Sequence, residues 1–267
     1  MQKSAVRPSP VFLALLAVTI AGGALAALYP PLDLIRAGDQ FFLLSDSRDI
    51  LGTLGIVLLV LGGWAVSLTL HEFGHAIVAY RGGDHSVADK GYLTMDIRRY
   101  TDPVLSLVLP LLLLAIGGIP LPGGAVWINQ WALRSRGVSS AVSLAGPLSN
   151  LAIGIVLIVV SATVPMSDGL QIGLSYLALV QVIAFVLNIL PVPGLDGFGA
   201  IEPYLSPQAR EWGAKARPWA PLVLFAVIIG LPGVGAIFFD ISDFVFGIIG
   251  GDVSAATAGY TAFMFWR

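Results

Sequence analysis

Four stretches of this 267-residue chain, residues 11–28, 50–80, 141–164 and 170–190, are apolar over about the length that a helix needs to cross a lipid bilayer. The hydrocarbon core offers no water to unpaired backbone groups. A crossing segment must therefore close its hydrogen bonds internally, and continuous apolar runs of this kind do so as helices. Residues 221–239 read as a fifth crossing despite Pro232. Residues 243–267 are apolar at their ends but are interrupted by Gly250-Gly251-Asp252, which leaves a sixth crossing open. Only 11% of the chain is charged and its mean hydropathy is +0.87, whereas soluble domains carry about 25% charge. A soluble globular fold and a large soluble appendage are both excluded. The expected fold class is an all-α polytopic membrane protein with five to six transmembrane helices.

The chain contains no cysteine, which rules out disulfides, thiolate metal sites and cysteine nucleophiles. A net charge of −2 gives no sign of nucleic-acid binding. Ionisable groups at membrane depth are costly and mark function. Here two of the three histidines and one of the three glutamates fall in five consecutive positions, His71-Glu72-Phe73-Gly74-His75. Histidines four apart on a helix lie about 40° apart around its axis, so both imidazoles can reach one metal ion. The glutamate between them can act on a metal-bound water. The competing reading is a pair of core histidines, with Glu72 paired to a basic loop residue.

Two histidines leave a catalytic zinc site one protein ligand short. The best remaining donor is Asp196, in Asn188-Ile189-Leu190-Pro191-Val192-Pro193-Gly194-Leu195-Asp196-Gly197. Pro191 and Pro193 prevent a regular helix there, so the chain can turn Asp196 into the membrane interior. An ordinary Asp-Gly turn after a helix end is the alternative.

A shared metal also constrains topology, because His71 and Asp196 must sit at one depth. Residues 103–119 are apolar but number only 17, contain Pro110 and run into Gly117-Gly118-Ile119-Pro120-Leu121-Pro122-Gly123-Gly124. If they crossed fully, Asp196 would emerge on the face opposite the histidines. If residues 103–128 form a re-entrant element, with or without a β-strand, Asp196 arrives beside them. Charge favours the second arrangement. Leaving Arg267 aside, it puts Lys3, Arg7, Arg81, Lys90, Arg98, Arg99, Arg134, Arg136, Arg210, Lys215 and Arg217 on the metal side and only Arg36 and Arg48 on the other. The positive-inside rule then makes the metal side cytoplasmic. Three regions are expected: 1–49, an N-terminal transmembrane segment and extracytoplasmic loop; 50–199, the core that carries the metal motif; and 200–267, a C-terminal loop and membrane segment. Residues 1–28 also fit a signal peptide, with Ala24-Leu25-Ala26 as its cleavage site.

Three motifs in order, His71-Glu72-x-x-His75, Ala145-Gly146-Pro147-Leu148-Ser149-Asn150 and Asn188-x-x-Pro191-x-Pro193-x-Leu195-Asp196-Gly197, resemble those of the site-2 proteases. The stretch Gly83-Asp84…Gly91-Tyr92-Leu93-Thr94-Met95-Asp96…Thr101-Asp102-Pro103 is similar to a compact bacterial branch of that family. The resemblance covers residues 50–199. It implies one Zn2+ held by His71, His75 and Asp196, with Glu72 as general base. It implies a transmembrane protein as substrate, a bilayer as environment, and a bacterial cell membrane as location. It also implies that Asn150 or Asn188 helps to hold the substrate or its oxyanion, although either could equally form a helix-to-helix hydrogen bond. Residues 117–128, including Gly123 and Gly124, could offer a strand edge to an unwound substrate, or be a structural turn. His85 and the run Pro120-Leu121-Pro122-Gly123-Gly124-Ala125-Val126 depart from that branch and bear on substrate preference. Two other classes compete: a catalytically silent protein that holds a membrane client, and a metal transporter. Oligomeric state is not legible.

Overall fold

A computed structural model describes residues 6–38, 40–45, 47–100 and 126–266. The chain is a helical membrane protein. Among the described residues, helices α1 (Pro10–Leu28), α2 (Ile50–Gly82), α4 (Arg136–Thr163) and α5 (Asp168–Asn188) are long and apolar enough to cross a bilayer. A short α3 (Ser86–Asp89) lies between α2 and α4. After α5 come α6 (Asp196–Ile201), α7 (Pro207–Ala216), α8 (Ala220–Gly230), α9 (Pro232–Ile248) and α10 (Val253–Phe263). Helices α7 and α8 meet at 62° and together could make a fifth crossing.

Helix α1 starts at Ser9, whose hydroxyl accepts from the Phe12 amide, with Pro10 in the first turn. It packs on α2 through small residues, since close approach is how helices gain contact in lipid. A Cβ added at Gly22 would lie 2.8 Å from the Gly55 carbonyl, and one at Gly62 would lie 2.8 Å from Thr19 Oγ1. Gly63 meets α5 instead, against Leu177. Helix α2 has 33 residues, about 50 Å at 1.5 Å per residue, more than the roughly 30 Å of hydrocarbon. Asp49 caps its start, and Gly83, with φ of 124°, ends it.

Helix α5 is buried on almost all sides. It packs against α2 through Ile172, Tyr176 and Val180, and against α8–α10 through Val182, Ile183 and Val186. The charged segment after α2 is also folded: Val87, Leu93, Ile97 and Tyr100 pack on Leu68, Ala76 and Ala79. The tryptophans Trp127, Trp131, Trp212 and Trp219 are exposed, as anchoring at a membrane interface requires.

Two expectations change. Residues 30–49 read as a polar loop, yet Asp33–Ala37 (β1) and Gln40–Ser45 (β2) pair as an antiparallel hairpin in the register Ile35↔Phe42. Its turn uses Gly38 at φ 63°, and the Phe41 amide anchors it to Ser254 Oγ at 2.9 Å. Residues 221–239 do not form one helix. The backbone is extended at Leu231, and Pro232 opens a new helix, because proline lacks the amide that a continuing helix needs. Most of the proposed re-entrant element, residues 103–125, lies outside the described residues, as do Gly123 and Gly124. Residues 126–129 form no regular element.

Candidate metal centre

His71, Glu72 and His75 occupy consecutive turns in the second half of α2 and are buried. Helix α4 crosses this face at very close range. A Cβ at Gly74 would lie 2.7 Å from Ser149 Oγ and 3.0 Å from the Ala145 carbonyl oxygen. From the other side, Gly146 of α4 faces the two imidazoles, and a Cβ there would lie 2.5 Å from His71 Nε2 and 2.6 Å from His75 Cε1.

Asp196 arrives by the irregular path that its prolines predict. After α5 the chain turns through Pro191–Gly194, with Gly194 at φ 97°, and Asp196 begins the short α6. Gly197 lets that helix sit against the end of α5, since a Cβ would collide with the Ile189 carbonyl. The Asp196 carboxylate thereby reaches both histidines: Oδ2 is 3.1 Å from His71 Nε2, and Oδ1 is 3.4 Å from His75 Nε2. The two Nε2 atoms are 3.1 Å apart.

These distances fit a tetrahedral cation. Zinc bonds of about 2.0–2.1 Å place neighbouring ligand atoms about 3.3 Å apart. The far side of each imidazole points to the same conclusion. His75 Nδ1 is 2.7 Å from the Val142 carbonyl oxygen, and His71 Nδ1 is 2.6 Å from Asn150 Oδ1. Both partners are acceptors, so each Nδ1 carries the proton and each Nε2 presents a lone pair. Two lone pairs and a carboxylate converging at this range repel one another unless a cation lies between them. His71, His75 and Asp196 could thus hold one metal ion and leave a fourth position open.

Glu72 stands beside this donor set but is not part of it; its Oε2 accepts from the Val126 amide at 3.2 Å. The segment carrying Val126 is fixed to the end of α2. Asp84 Oδ2 accepts from the Asn129 amide at 2.7 Å, Lys90 Nζ donates to the Trp127 carbonyl at 2.7 Å, and the Arg134 amide donates to the Gly82 carbonyl at 3.1 Å. The two asparagines differ. Asn150 bridges His71 and Gln181, its Nδ2 donating to Gln181 Oε1 at 2.9 Å. Asn188 donates to the Ala184 carbonyl of its own helix at 3.0 Å. His85 is exposed, with its ring edge-on to Tyr80. Sequence reasoning misses Gln181, Val142 and the particular position of Gly146. A buried glutamine in an apolar helix is the one signal that could have found the first.

Known proteins agree with this chemistry. No family model matches the chain, and no solved structure matches it. "Putative zinc metalloprotease Rip2" of Mycobacterium tuberculosis is 42% identical over 267 residues, covering 99% of this chain and 96% of that protein. The protein of the same name from Mycolicibacterium smegmatis is 40% identical over 266 residues, with the same coverage. "Putative zinc metalloprotease YwhC" of Bacillus subtilis is 32% identical over 174 residues, 61% of this chain and 77% of that one. With the ordered motifs and a donor set suited to zinc, this likeness over nearly the whole length establishes that the chain belongs to the compact branch of the site-2 protease family of zinc metalloproteases.

Proposed function

We propose that this metalloprotease hydrolyses peptide bonds within the membrane-spanning segments of other proteins, with zinc on His71, His75 and Asp196 and with Glu72 as general base. The observation that carries the proposal is the convergence of two buried histidines, on a helix long enough to cross a bilayer, with the half-buried Asp196 carboxylate beside Glu72. When bound, zinc supplies a Lewis acid that acidifies water and polarises the scissile carbonyl. The chain's own residues do the rest. Glu72 takes a proton from the attacking water as its oxygen bonds to the carbonyl carbon. It then passes that proton to the amide nitrogen as the C–N bond breaks. Asn150 and the Val142 carbonyl keep both imidazoles turned with Nε2 inward.

The carbonyls of a helical substrate are shielded by its own hydrogen bonds, so it must unwind before it can be cut. Residues 117–128, with Gly123 and Gly124, are the proposed edge for the unwound strand. The contact of Val126 with Glu72, which brings the end of that segment to the site, supports this role. Asn188, close in sequence to Asp196, is the asparagine proposed to meet substrate, because both ends of the Asn150 amide are engaged within the protein.

The purified protein in lipid vesicles, given a model transmembrane substrate, is expected to release fragments whose new ends map inside the apolar segment. Stripping the metal with a chelator should abolish release, and zinc should restore it. Cuts confined to water-exposed flanks would overturn the intramembrane reading. The charge distribution further supports an orientation with the metal side and the N-terminus toward the cytoplasm of a bacterial cell. A topology reporter fused at Gln130 is expected to read cytoplasmic, and an extracytoplasmic reading would refute this orientation.

A further inference from the structure

We propose that Gln181 is a positioning residue for the metal centre, acting through Asn150 to fix which nitrogen of His71 faces the metal. The inference rests on the ligand role of His71 proposed above. Gln181 lies in the buried helix α5, fully enclosed, and has no part in the ligand set or the base. Its Oε1 accepts from Asn150 Nδ2 at 2.9 Å, and Asn150 Oδ1 accepts from His71 Nδ1 at 2.6 Å. The three side chains form one directed chain across α5, α4 and α2.

The direction matters because a primary amide has two ends of nearly equal shape and opposite polarity. Asn150 can present either end to His71. If it presents Oδ1, His71 must carry its proton on Nδ1, which leaves a lone pair on Nε2 for the metal. If it presents Nδ2, the His71 Nδ1 must accept, the proton moves to Nε2, and the ligand is lost. In the observed arrangement Gln181 Oε1 takes the donor end of Asn150, which leaves Oδ1 turned toward the histidine. The other end of the Gln181 amide, Nε2, is buried and has no hydrogen-bond partner among the described residues. The second histidine needs no such device, since its Nδ1 partner, the Val142 carbonyl, can only accept.

The test measures zinc affinity of the full-length protein by competition with a chromophoric chelator, with the visible spectrum of the cobalt form as a second readout. Gln181→Leu is expected to weaken zinc binding by about 10–100-fold, as loss of groups that orient metal ligands typically does. It should also shift the cobalt bands, without a matching loss of thermal stability in the metal-free protein. Gln181→Glu, which keeps an acceptor oxygen, is expected to stay within a few-fold of wild type. The decisive comparison is made in an Asn150→Asp background. A carboxylate offers only oxygens to His71 and cannot be turned the wrong way, so adding Gln181→Leu there should cost no more than a few-fold. Equal losses with and without Asn150→Asp would reduce Gln181 to a packing residue and overturn the proposal, as would unchanged affinity in Gln181→Leu alone. A wild-type protein that fails to bind one zinc per chain would instead overturn the ligand assignment itself.

Discussion

Glu72→Gln is expected to bind one zinc per chain with near wild-type affinity and to lose cleavage by about 10²–10⁴-fold, the range that a positioned general base supplies. The substitution changes one oxygen to an NH2 group and conserves shape. The proposed metal donors are His71, His75 and Asp196, which the change does not touch. The amide oxygen of glutamine can still accept from the Val126 amide, the hydrogen bond that holds the Glu72 carboxylate. What disappears is a group able to take a proton from water and return it to the leaving nitrogen. Metal content by elemental analysis and the rate of transmembrane-substrate cleavage read the two effects separately. Full activity in the variant would remove Glu72 from the mechanism. Loss of zinc together with activity would make Glu72 a support of the metal site rather than its base. The variant also offers a trap, because a substrate that is bound but not cut should co-purify with it and reveal the natural client.

Those parts of the site that depend on residue chemistry along one stretch of chain are legible in the sequence alone. His71 and His75 are forced onto one face by helical spacing. The proline pair ahead of Asp196 announces a backbone that cannot continue as a helix, and the fold uses it to bring the carboxylate within 3.1 and 3.4 Å of the imidazoles. Other parts depend on how two helices are rotated against each other, and a linear reading holds no such information. That is why Asn150 is legible as a polar residue in a span but not as the partner of His71. Gln181, seven residues before Asn188 on the same helix, carries no motif and becomes meaningful only when α4 brings Asn150 to it. Pro232 illustrates another ambiguity. A proline inside an apolar run can be tolerated in a membrane helix or can start a new one, and here the extended backbone at Leu231 places it at the start. The hairpin over Asp33–Ser45 is masked by its charged residues, although Leu34, Ile35 and Phe41-Phe42-Leu43-Leu44 carry strand-forming side chains.

Gly146→Ala is expected to abolish metal binding while leaving the fold standing, although the change looks favourable by helix propensity alone. Alanine is better than glycine in a helix interior by about 0.5–1 kcal/mol, and Gly146 lies inside α4. The added methyl carbon, however, would lie 2.5 Å from His71 Nε2 and 2.6 Å from His75 Cε1, with His75 Nε2 also in collision. It would occupy the space onto which the two lone pairs converge. The two helices are in direct contact beside this point, where a Cβ at Gly74 of α2 would be 3.0 Å from the Ala145 carbonyl oxygen of α4. The imidazoles must therefore rotate, breaking the bonds from Nδ1 to Asn150 and to Val142 that hold them inward. Zinc affinity should fall by at least the roughly 100-fold at the upper end of the loss seen when ligand-orienting groups are removed, and cleavage should fall with it. Gly137→Ala provides the control at the start of the same helix, where a Cβ would meet Ser135 Oγ at 3.8 Å and the Tyr204 hydroxyl at 3.9 Å, ordinary contact distances. That variant should keep its zinc and its activity. Both variants should match the wild type in helical content by circular dichroism and elute as the wild type does in detergent, which isolates the metal from the fold. If Gly146→Ala bound zinc as tightly as the wild type, the metal could not lie between these histidines, and the site would have to be sought elsewhere in the chain.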